Sequence, residues 1–489
     1  MGTERSSAVG PLIGGKLTES SSNEQIEILN PSSGQRVLSI PVGSADDVDR
    51  AVLSARSAFD EGGWRDTPPS FKKAILHRFA ELIRAEAAQL DALDAEEMGK
   101  PISVTFGNAN AACQLLHFHA ESVDKLTGDV FTSDKTTLIA QRRVPRGVVA
   151  AIVPWNFPTI NAALKIAPAL ATGNTVVLKP SELASRSSVR LAQLALNAGL
   201  PTGVFNVVPG RGTTVGRMLA EHMDVDMIAF TGSTAVGKLM HQYAGQSNLK
   251  PVLAECGGKC PQIVFGDAHD LDAVADGIAY SILTNQGQWC SAGSRVIVQE
   301  QVEAELIDKI IQRFHKIKVG DPCDSGVTFG PLVTSQHCEK VERYIAAGQA
   351  QGGELVEGGT RLLPDSGGNF ISPALLRNVR PDMSISQDEI FGPVLSVTAF
   401  RDETNAIQLA NSSIYGLMAT AWTTSMATGM RLSREIRSGI VMVNAATPSG
   451  EGSQAISAEP YGQSGTGTEL GLGGMESYLR RQVAWFNHG

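Results

Sequence analysis

Three residues that lie far apart in the chain have side chains suited to chemistry on a carbonyl group. Cys290 ends the sequence NQGQWC, Glu255 lies upstream in LAECGGK, and Asn156 lies further upstream in PWNFP. A cysteine thiolate can attack a carbonyl carbon, and a carboxylate can act as the general base that activates water. The amide of Asn156 could donate to a developing oxyanion. These residue types would suit a reaction that passes through a covalent cysteine adduct.

The elements that would position these residues begin near Gly147, where short apolar runs alternate with helical patterns. We predict strands near residues 148–153, 175–179, 203–208, 226–230 and 250–255, with helices near 161–171, 187–199, 214–222 and 234–244. This alternation is typical of βαβ units around a parallel sheet. Loops that follow parallel strands share one edge of the sheet, where such folds bind ligands. We therefore expect one edge to hold Asn156, Lys179, Gly210, Gly232 and Glu255.

Other parts of the chain follow different patterns. A second alternation begins near Pro261, with a helix at 271–284, a strand at 295–299 and a helix at 302–317, and it indicates a second domain. Upstream, residues 45–100 read as two helices that serve packing. Residues 126–145 contain turns and a β-rich run, which we interpret as an excursion from the first domain.

Four segments of the chain together resemble the aldehyde dehydrogenase superfamily. They are PWNFP at 154–158, LAECGGK at 253–259, NQGQWC at 285–290 and EIFGP at 389–393. The resemblance runs along nearly the whole chain. It is weakest near the C-terminus, where residues 460–465 read PYGQSG and lack the lysine that the family often has there. This departure concerns the substrate-entry loop and nearby subunit contacts, and leaves the thiol chemistry untouched.

The resemblance implies an α/β fold in three parts. Residues 1–125 and 146–257 would form a Rossmann-like NAD-binding domain, and residues 258–455 an α/β catalytic domain. Residues 126–145 and 470–489 would form a small β oligomerisation arm. Exposed strand edges of this kind pair with another subunit, so a homodimer or a homotetramer is expected.

The resemblance also implies an activity, the NAD(P)-dependent oxidation of an aldehyde to a carboxylic acid. Cys290 would form a thiohemiacetal and then a thioester, Asn156 would stabilise the oxyanion, and Glu255 would activate the water that hydrolyses the thioester. Family members that transfer the acyl group to coenzyme A generally lack this glutamate, so Glu255 favours an acid product. Two alternatives stay open: a coenzyme A-acylating enzyme, and a non-catalytic protein that reuses the fold. Taken alone, Cys290 would be a core thiol and Asn156 a turn residue.

NAD is the cofactor that the resemblance implies, with NADP as the second option. Lys179 and Glu182 would hold the adenosine ribose, where a carboxylate repels a 2′-phosphate and favours NAD. Ser233, at the start of a helix, would lie by the pyrophosphate. Taken alone, the glycine clusters could be ordinary turns and Lys179 with Glu182 an exposed helix start. The implied cofactor residues are Trp155, Lys179, Glu182, Gly212, Gly216, Thr231, Gly232, Ser233, Glu389 and Phe391.

Position alone suggests four residues that line the substrate pocket: Asn161, Leu164, Trp289 and Ser291. Leu164 and Trp289 favour an apolar or aromatic aldehyde. No arginine pair in these motifs offers a bidentate grip on a substrate carboxylate. Each of the four residues could instead pack in the core. No metal site is predicted.

Composition narrows the class of protein. The 489 residues are 42% apolar and 19% charged, as in ordinary globular proteins of more than one domain. A net charge of −9 argues against a nucleic-acid partner. No apolar run reaches the roughly 18 residues of a membrane span, and residues 1–20 lack the apolar segment of a secretory signal. Six cysteines in so long a chain do not form a disulfide framework. We therefore expect a cytoplasmic enzyme with a small-molecule substrate and no membrane partner.

Overall fold

The structure is a computed structural model, and it describes residues 9–268, 270–447 and 453–489. Residues 1–8 of the predicted NAD-binding domain lie outside this set, as do residues 269 and 448–452 of the predicted catalytic domain. All of the predicted site residues lie inside it. Within the described ranges, no helix combines the length and the apolar character needed to cross a membrane.

The described residues form strands β1 to β22 and α-helices α1 to α15. The strands are β1 Leu12–Ile13, β2 Lys16–Leu17, β3 Gln25–Leu29, β4 Arg36–Pro41, β5 Asp129–Phe131, β6 Thr137–Pro145, β7 Val148–Ile152, β8 Thr175–Lys179, β9 Phe205–Val207, β10 Met227–Thr231, β11 Val252–Glu255, β12 Pro261–Val264, β13 Arg295–Gln299, β14 Glu354–Glu357, β15 Ala374–Arg377, β16 Val394–Phe400, β17 Tyr415–Gly416, β18 Met418–Trp422, β19 Ile440–Val443, β20 Tyr461–Gly462, β21 Gly465–Thr466 and β22 Leu479–Asn487. The helices are α1 Ala45–Asp60, α2 Pro69–Ala85, α3 Ala87–Met98, α4 Ala109–Ser122, α5 Pro158–Ala171, α6 Arg186–Asn197, α7 Arg217–Glu221, α8 Thr234–Gln246, α9 Leu271–Leu283, α10 Glu303–Phe314, α11 Ser335–Ala350, α12 Ser384–Gln387, α13 Glu403–Ala410, α14 Met426–Glu435 and α15 Gly471–Ser477.

The first sheet has the strand order β2-β1-β9-β8-β7-β10-β11-β21. Its five central strands pair in parallel, in the order β9, β8, β7, β10 and β11. Every residue of β7 and β8 is buried, because helices cover both faces of the sheet. One face packs against α2, α4, α5 and α6, and the other packs against α1. The predicted α/β fold class and the predicted parallel strands are confirmed.

The second sheet has the order β14-β15-β16-β13-β12-β18-β19, and only β14 runs antiparallel to its neighbour. In the chain, the first sheet passes into the second between Glu255 and Pro261. The loop between these two residues therefore joins β11 of the first sheet directly to β12 of the second. The domain boundaries given above stay a prediction.

A third sheet has the order β22-β6-β5 and joins residues that are distant in sequence. The C-terminal strand β22 pairs with β6 along its whole length, from Leu479 with Pro145 to Asn487 with Thr137. Trp485 and Val130 in this sheet are 68% and 74% exposed. The predicted excursion and tail therefore meet in one sheet, while their role in assembly stays a prediction.

The prediction of two helices over residues 45–100 is wrong, because the region holds three, α1, α2 and α3. The break falls at Glu86, whose φ of −108° and ψ of 15° leave the helical range. Its carboxylate accepts hydrogen bonds from Arg190 of α6, with Nε 2.7 Å away. Apolar periodicity continues across this point, so the sequence pattern does not reveal a break that a distant arginine helps to fix.

Candidate active site

Cys290 lies in a tight loop between α9 and β13. Asn285 and Gln286 have positive φ angles of 47° and 55°, and Gly287 follows with 69°. A Cβ on Gly287 would lie 2.4 Å from the carbonyl oxygen of Gly392, so only glycine fits there. Strained backbone of this kind is kept where a functional group must be held in place. The loop leaves Cys290 half-buried.

Asn156 makes three hydrogen bonds, and two of them join it to the same loop. Its Nδ2 donates to the carbonyl of Gln288 at 3.0 Å, and its own carbonyl accepts from Asn285 Nδ2 at 2.8 Å. Its side-chain oxygen accepts from Asn161 Nδ2 at 3.1 Å. The side chain is therefore oriented. Its Nδ2 binds the loop at Gln288, two residues before Cys290. A buried, oriented amide is suited to stabilising an oxyanion.

Glu255 ends β11, and the loop after it packs directly on Cys290. A Cβ on Gly258 would lie 2.2 Å from the carbonyl oxygen of Cys290, so the two backbones touch. The backbone N–H of Gly258 donates to Glu389 Oε1 at 3.0 Å. The fold thus gathers the Cys290 loop, the Asn156 amide and two carboxylates in one place.

The pKa values at this site are shifted far from their ordinary range. Burial raises the pKa of the Cys290 thiol to about 12, and the negative charges of Glu389 and Glu255 add to the rise. Burial also raises the pKa of Glu255 well above its usual value, and the neighbouring Glu469 raises it further. A thiol with this pKa is protonated at neutral pH, so its attack on a carbonyl needs a base. A carboxylate with a raised pKa is suited to act as a general base toward water.

Two charged residues near Glu255 were not predicted from the sequence. Lys165, fully buried on α5, forms an ion pair with Glu469 from near the C-terminus. Lys165 lowers the pKa of Glu255 and thereby opposes the effect of Glu469. Lys165 is the one charged residue of α5, which was a signal in the sequence, but its partner is distant and could not be found from spacing.

The residues predicted to hold the adenosine ribose lie at the end of β8. Lys179 Nζ and Glu182 Oε2 are 3.1 Å apart, and Lys179 is only 3% exposed. Burial lowers the pKa of Lys179, while Glu182 partly restores it. The two opposite charges therefore pair with each other at a largely buried edge of the sheet.

Further predicted cofactor residues follow β9 or lie at the end of β10. Ser233 caps α8 and accepts from the backbone N–H of Val236 at 3.4 Å. The hydroxyl oxygen of Thr231, at the end of β10, is buried with no hydrogen-bond partner among the described residues. Around Gly212 and Gly216, the space that a Cβ would occupy is open. Gly232 follows Thr231, and a Cβ on it would lie 2.5 Å from the Phe230 ring.

Two of the predicted cofactor residues, Trp155 and Phe391, form an aromatic group with one further member. The rings of Trp155 and Phe391 meet edge to face at 5.5 Å, and His337 lies 5.9 Å from Trp155. His337 Nε2 donates to the carbonyl of Phe391 at 2.6 Å, which supports a positive φ of 63° at Phe391. Burial raises the pKa of Glu389. His337 had no signal in the sequence that pointed to this place.

These features fit a dinucleotide. A capped helix start, an unpaired buried hydroxyl at Thr231 and open space at Gly212 and Gly216 together suit an anionic, hydroxyl-rich group. The Lys179–Glu182 pair offers a donor and an acceptor for ribose hydroxyls.

The four predicted pocket residues have different surroundings. Asn161 bonds Asn156, Leu164 is half-buried, and Ser291 Oγ lies 3.8 Å from Cys290 Sγ. Trp289 is 4% exposed, packs 4.8 Å from the Phe106 ring, and donates its indole N–H to Ser281 at 2.8 Å. The surroundings of Trp289 favour the alternative of a core residue that anchors the Cys290 loop. The assignment of all four to the pocket stays a prediction.

Known proteins resemble this chain both in sequence and in fold. A family model described as the aldehyde dehydrogenase family matches residues 17–484. The NADP/NAD-dependent aldehyde dehydrogenase PuuC of Escherichia coli (strain K12) is 39% identical over 476 residues, which cover 97% of this chain and 95% of that protein. Phenylacetaldehyde dehydrogenase of Pseudomonas fluorescens is 39% identical over 478 residues, covering 96% and 93%. A crystal structure of indole-3-acetaldehyde dehydrogenase complexed with NAD+ matches with a TM-score of 0.95 at 42% identity, covering 98% and 96%.

Proposed function

Because the chain belongs to the aldehyde dehydrogenase family, we propose that Cys290, Asn156 and Glu255 form its catalytic centre. The chain is an NAD-dependent aldehyde dehydrogenase, an enzyme that converts an aldehyde, NAD+ and water to a carboxylate and NADH. The observation that carries the catalytic assignment is the convergence of the Asn156 amide and the Glu255 loop on the Cys290 loop.

The first step is attack of the Cys290 sulfur on the aldehyde carbon. Because the thiol has a raised pKa, its proton passes to solvent water as the carbon–sulfur bond forms. The attack places negative charge on the aldehyde oxygen. The Asn156 amide and the backbone N–H of Cys290 donate to this oxygen, and each such donor contributes about 10²- to 10³-fold in rate.

Bound NAD+ supplies the acceptor for the hydride that leaves the thiohemiacetal. The Lys179 and Glu182 side chains hold the adenosine ribose, while Ser233 and the start of α8 lie by the pyrophosphate. Glu389 and Phe391 bind the nicotinamide ribose and ring.

The last step is hydrolysis of the Cys290 thioester. Glu255 accepts a proton from the attacking water, and Lys165 with Glu469 set the charge around it. Because only the deprotonated carboxylate accepts a proton, the hydrolysis rate rises as the pH rises through the elevated pKa of Glu255.

Glu182 should set the preference for NAD over NADP. Replacing Glu182 with Gln removes the charge that repels a 2′-phosphate but keeps an acceptor for Lys179. We expect the ratio of kcat/KM for NADP to that for NAD to rise by at least about tenfold, which corresponds to about 1.4 kcal/mol. Steady-state NADH and NADPH formation measures this ratio. Glu305→Gln, on the surface of α10, is the control, and equal ratios in both variants would remove Glu182 from this role.

The substrate proposed is an apolar or aromatic aldehyde. Leu164 on α5 and the absence of an arginine pair in the catalytic motifs support this class. Two of the similar proteins are named for arylacetaldehydes, phenylacetaldehyde and indole-3-acetaldehyde.

An NADH-formation screen tests the proposed function. Aliphatic, aromatic, amino and carboxylated aldehydes are compared by kcat/KM with NAD+, with and without coenzyme A. We expect the aromatic aldehydes to lead and the carboxylic acid to be the product whether or not coenzyme A is added. An acyl-coenzyme A product would favour the acylating alternative, and a preference for carboxylated aldehydes would overturn the substrate class.

Two further proposals concern how subunits assemble and where the enzyme acts. We propose that the sheet of β5, β6 and β22 joins subunits into a homodimer or a homotetramer, since its exposed Trp485 and Val130 would be covered there. Light scattering of the intact chain and of a Trp485→Glu variant tests this, because a mass of one chain in the wild type would exclude it. The enzyme is proposed to act in the cytoplasm.

A further inference from the structure

Helices α2 and α4 pack side by side and present metal-binding side chains to each other. Glu81 on α2 meets Cys113 and His117 on α4, and one ligand atom from each lies within 4.8 Å of the other two. Cys113 and His117 are four residues apart, so both project from one face of the helix. His77 precedes Glu81 by the same interval. None of these residues belongs to the dehydrogenase site.

The side chains around the three ligand atoms make close polar contacts. His77 Nε2 lies 2.7 Å from Glu121 Oε1, the Nδ1 atoms of His77 and His117 are 2.7 Å apart, and His117 Nε2 lies 2.9 Å from Glu81 Oε1. The Arg84 guanidinium lies beside two of the ligands, with Nη1 3.2 Å from Glu81 Oε2 and Nη2 3.3 Å from His117 Nε2. The ligand atoms of Glu81 and His117 therefore already converge on one cationic group.

We propose that Glu81, Cys113 and His117 bind a zinc ion in place of the Arg84 guanidinium. Thiolate, imidazole and carboxylate are the ligand types that zinc prefers in proteins. One thiolate and one carboxylate neutralise its two positive charges. Tetrahedral zinc separates its ligand atoms by about 3.5 Å, so small side-chain shifts complete the site. This site goes beyond the dehydrogenase activity.

The surroundings of the three ligands support this assignment. A zinc-bound histidine usually donates its other N–H to a second group that fixes its orientation, and His77, itself bonded to Glu121, fills this role for His117. Arg84 now reaches both Glu81 and His117, at 3.2 and 3.3 Å. Its side chain is 53% exposed, so it can turn to solvent when zinc takes its place.

Zinc titration of the Cys290→Ala protein tests the proposal, because this background removes the active-site thiol as a competing ligand. Isothermal titration with zinc chloride at neutral pH should give one zinc per chain. Adding Cys113→Ser or His117→Asn should weaken binding by about 100-fold or more, and His77→Ala by about 10- to 100-fold. Cys338→Ser, which changes another buried thiol, should bind zinc like the parent.

A second measurement needs no change in the cluster. In the Cys290→Ala protein, zinc should slow alkylation of Cys113, followed by peptide mass spectrometry, and should leave Cys338 unaffected. Absence of zinc binding, or zinc binding that Cys113→Ser and His117→Asn leave unchanged, would overturn the proposal. In that case Arg84 would remain the cation that pairs with Glu81 and His117.

Discussion

Replacing Cys290 with alanine should abolish NADH formation while NAD binding is kept. Without the sulfur no thiohemiacetal forms, and loss of a covalent nucleophile lowers turnover by roughly 10⁴-fold or more. NAD binding should persist, because Lys179, Glu182 and Ser233 lie on other loops than Cys290. Steady-state NADH formation and a fluorescence titration with NAD+ measure the two quantities.

Cys338→Ala is the matched control for this experiment. Cys338 is buried and lies on α11, where it packs with core residues such as Val341 and Ile345. The Cys338→Ala variant should keep most of the wild-type activity. A loss seen only in the Cys290 variant is therefore specific to the Cys290 thiol. Substantial turnover in Cys290→Ala would exclude the covalent route and with it the proposed catalytic centre.

Replacing Glu255 with glutamine should slow the release of the acid by about 10² to 10⁴-fold, the usual contribution of a general base. Glutamine keeps the size of the side chain but cannot accept the proton from water. The thioester should then accumulate, so rapid mixing should show one NADH per active site followed by very slow turnover. The increase in rate with pH that Glu255 produces in the wild type should disappear.

The control for Glu255 is Glu354→Gln, a change in an exposed glutamate of β14 that is paired with Arg377. It should leave both the burst and the steady-state rate near those of the wild type. Full steady-state turnover in Glu255→Gln, without a burst, would remove Glu255 from the role of base.

The parts of the fold that could be predicted are those in which local pattern and tertiary structure agree. The fully buried β7 is a continuous apolar run and β8 has an apolar centre, as is typical of strands covered on both faces. The loops after them then follow from the right-handed crossover rule. The motifs around Cys290 and Asn156 were found for the same reason, since each is a contiguous segment.

The parts that could not be predicted depend on contacts between distant residues. The ion pair of Lys165 with Glu469 joins positions 304 residues apart, and neither residue alone indicates the other. The end of α2 at Glu86 depends on Arg190 of another helix. Trp289 stands next to the nucleophile in sequence, yet its indole packs in the core and donates to Ser281. Adjacency in sequence therefore did not establish a place in the substrate pocket.

The most direct test of the proposed catalytic centre is the mass of the Cys290 peptide after Glu255→Gln is mixed with an aldehyde and NAD+ and quenched in acid. The peptide that contains Cys290 should gain the mass of the acyl group, in an amount equal to the NADH formed. An acyl group on another residue, or NADH formed with no adduct on Cys290, would contradict the proposal.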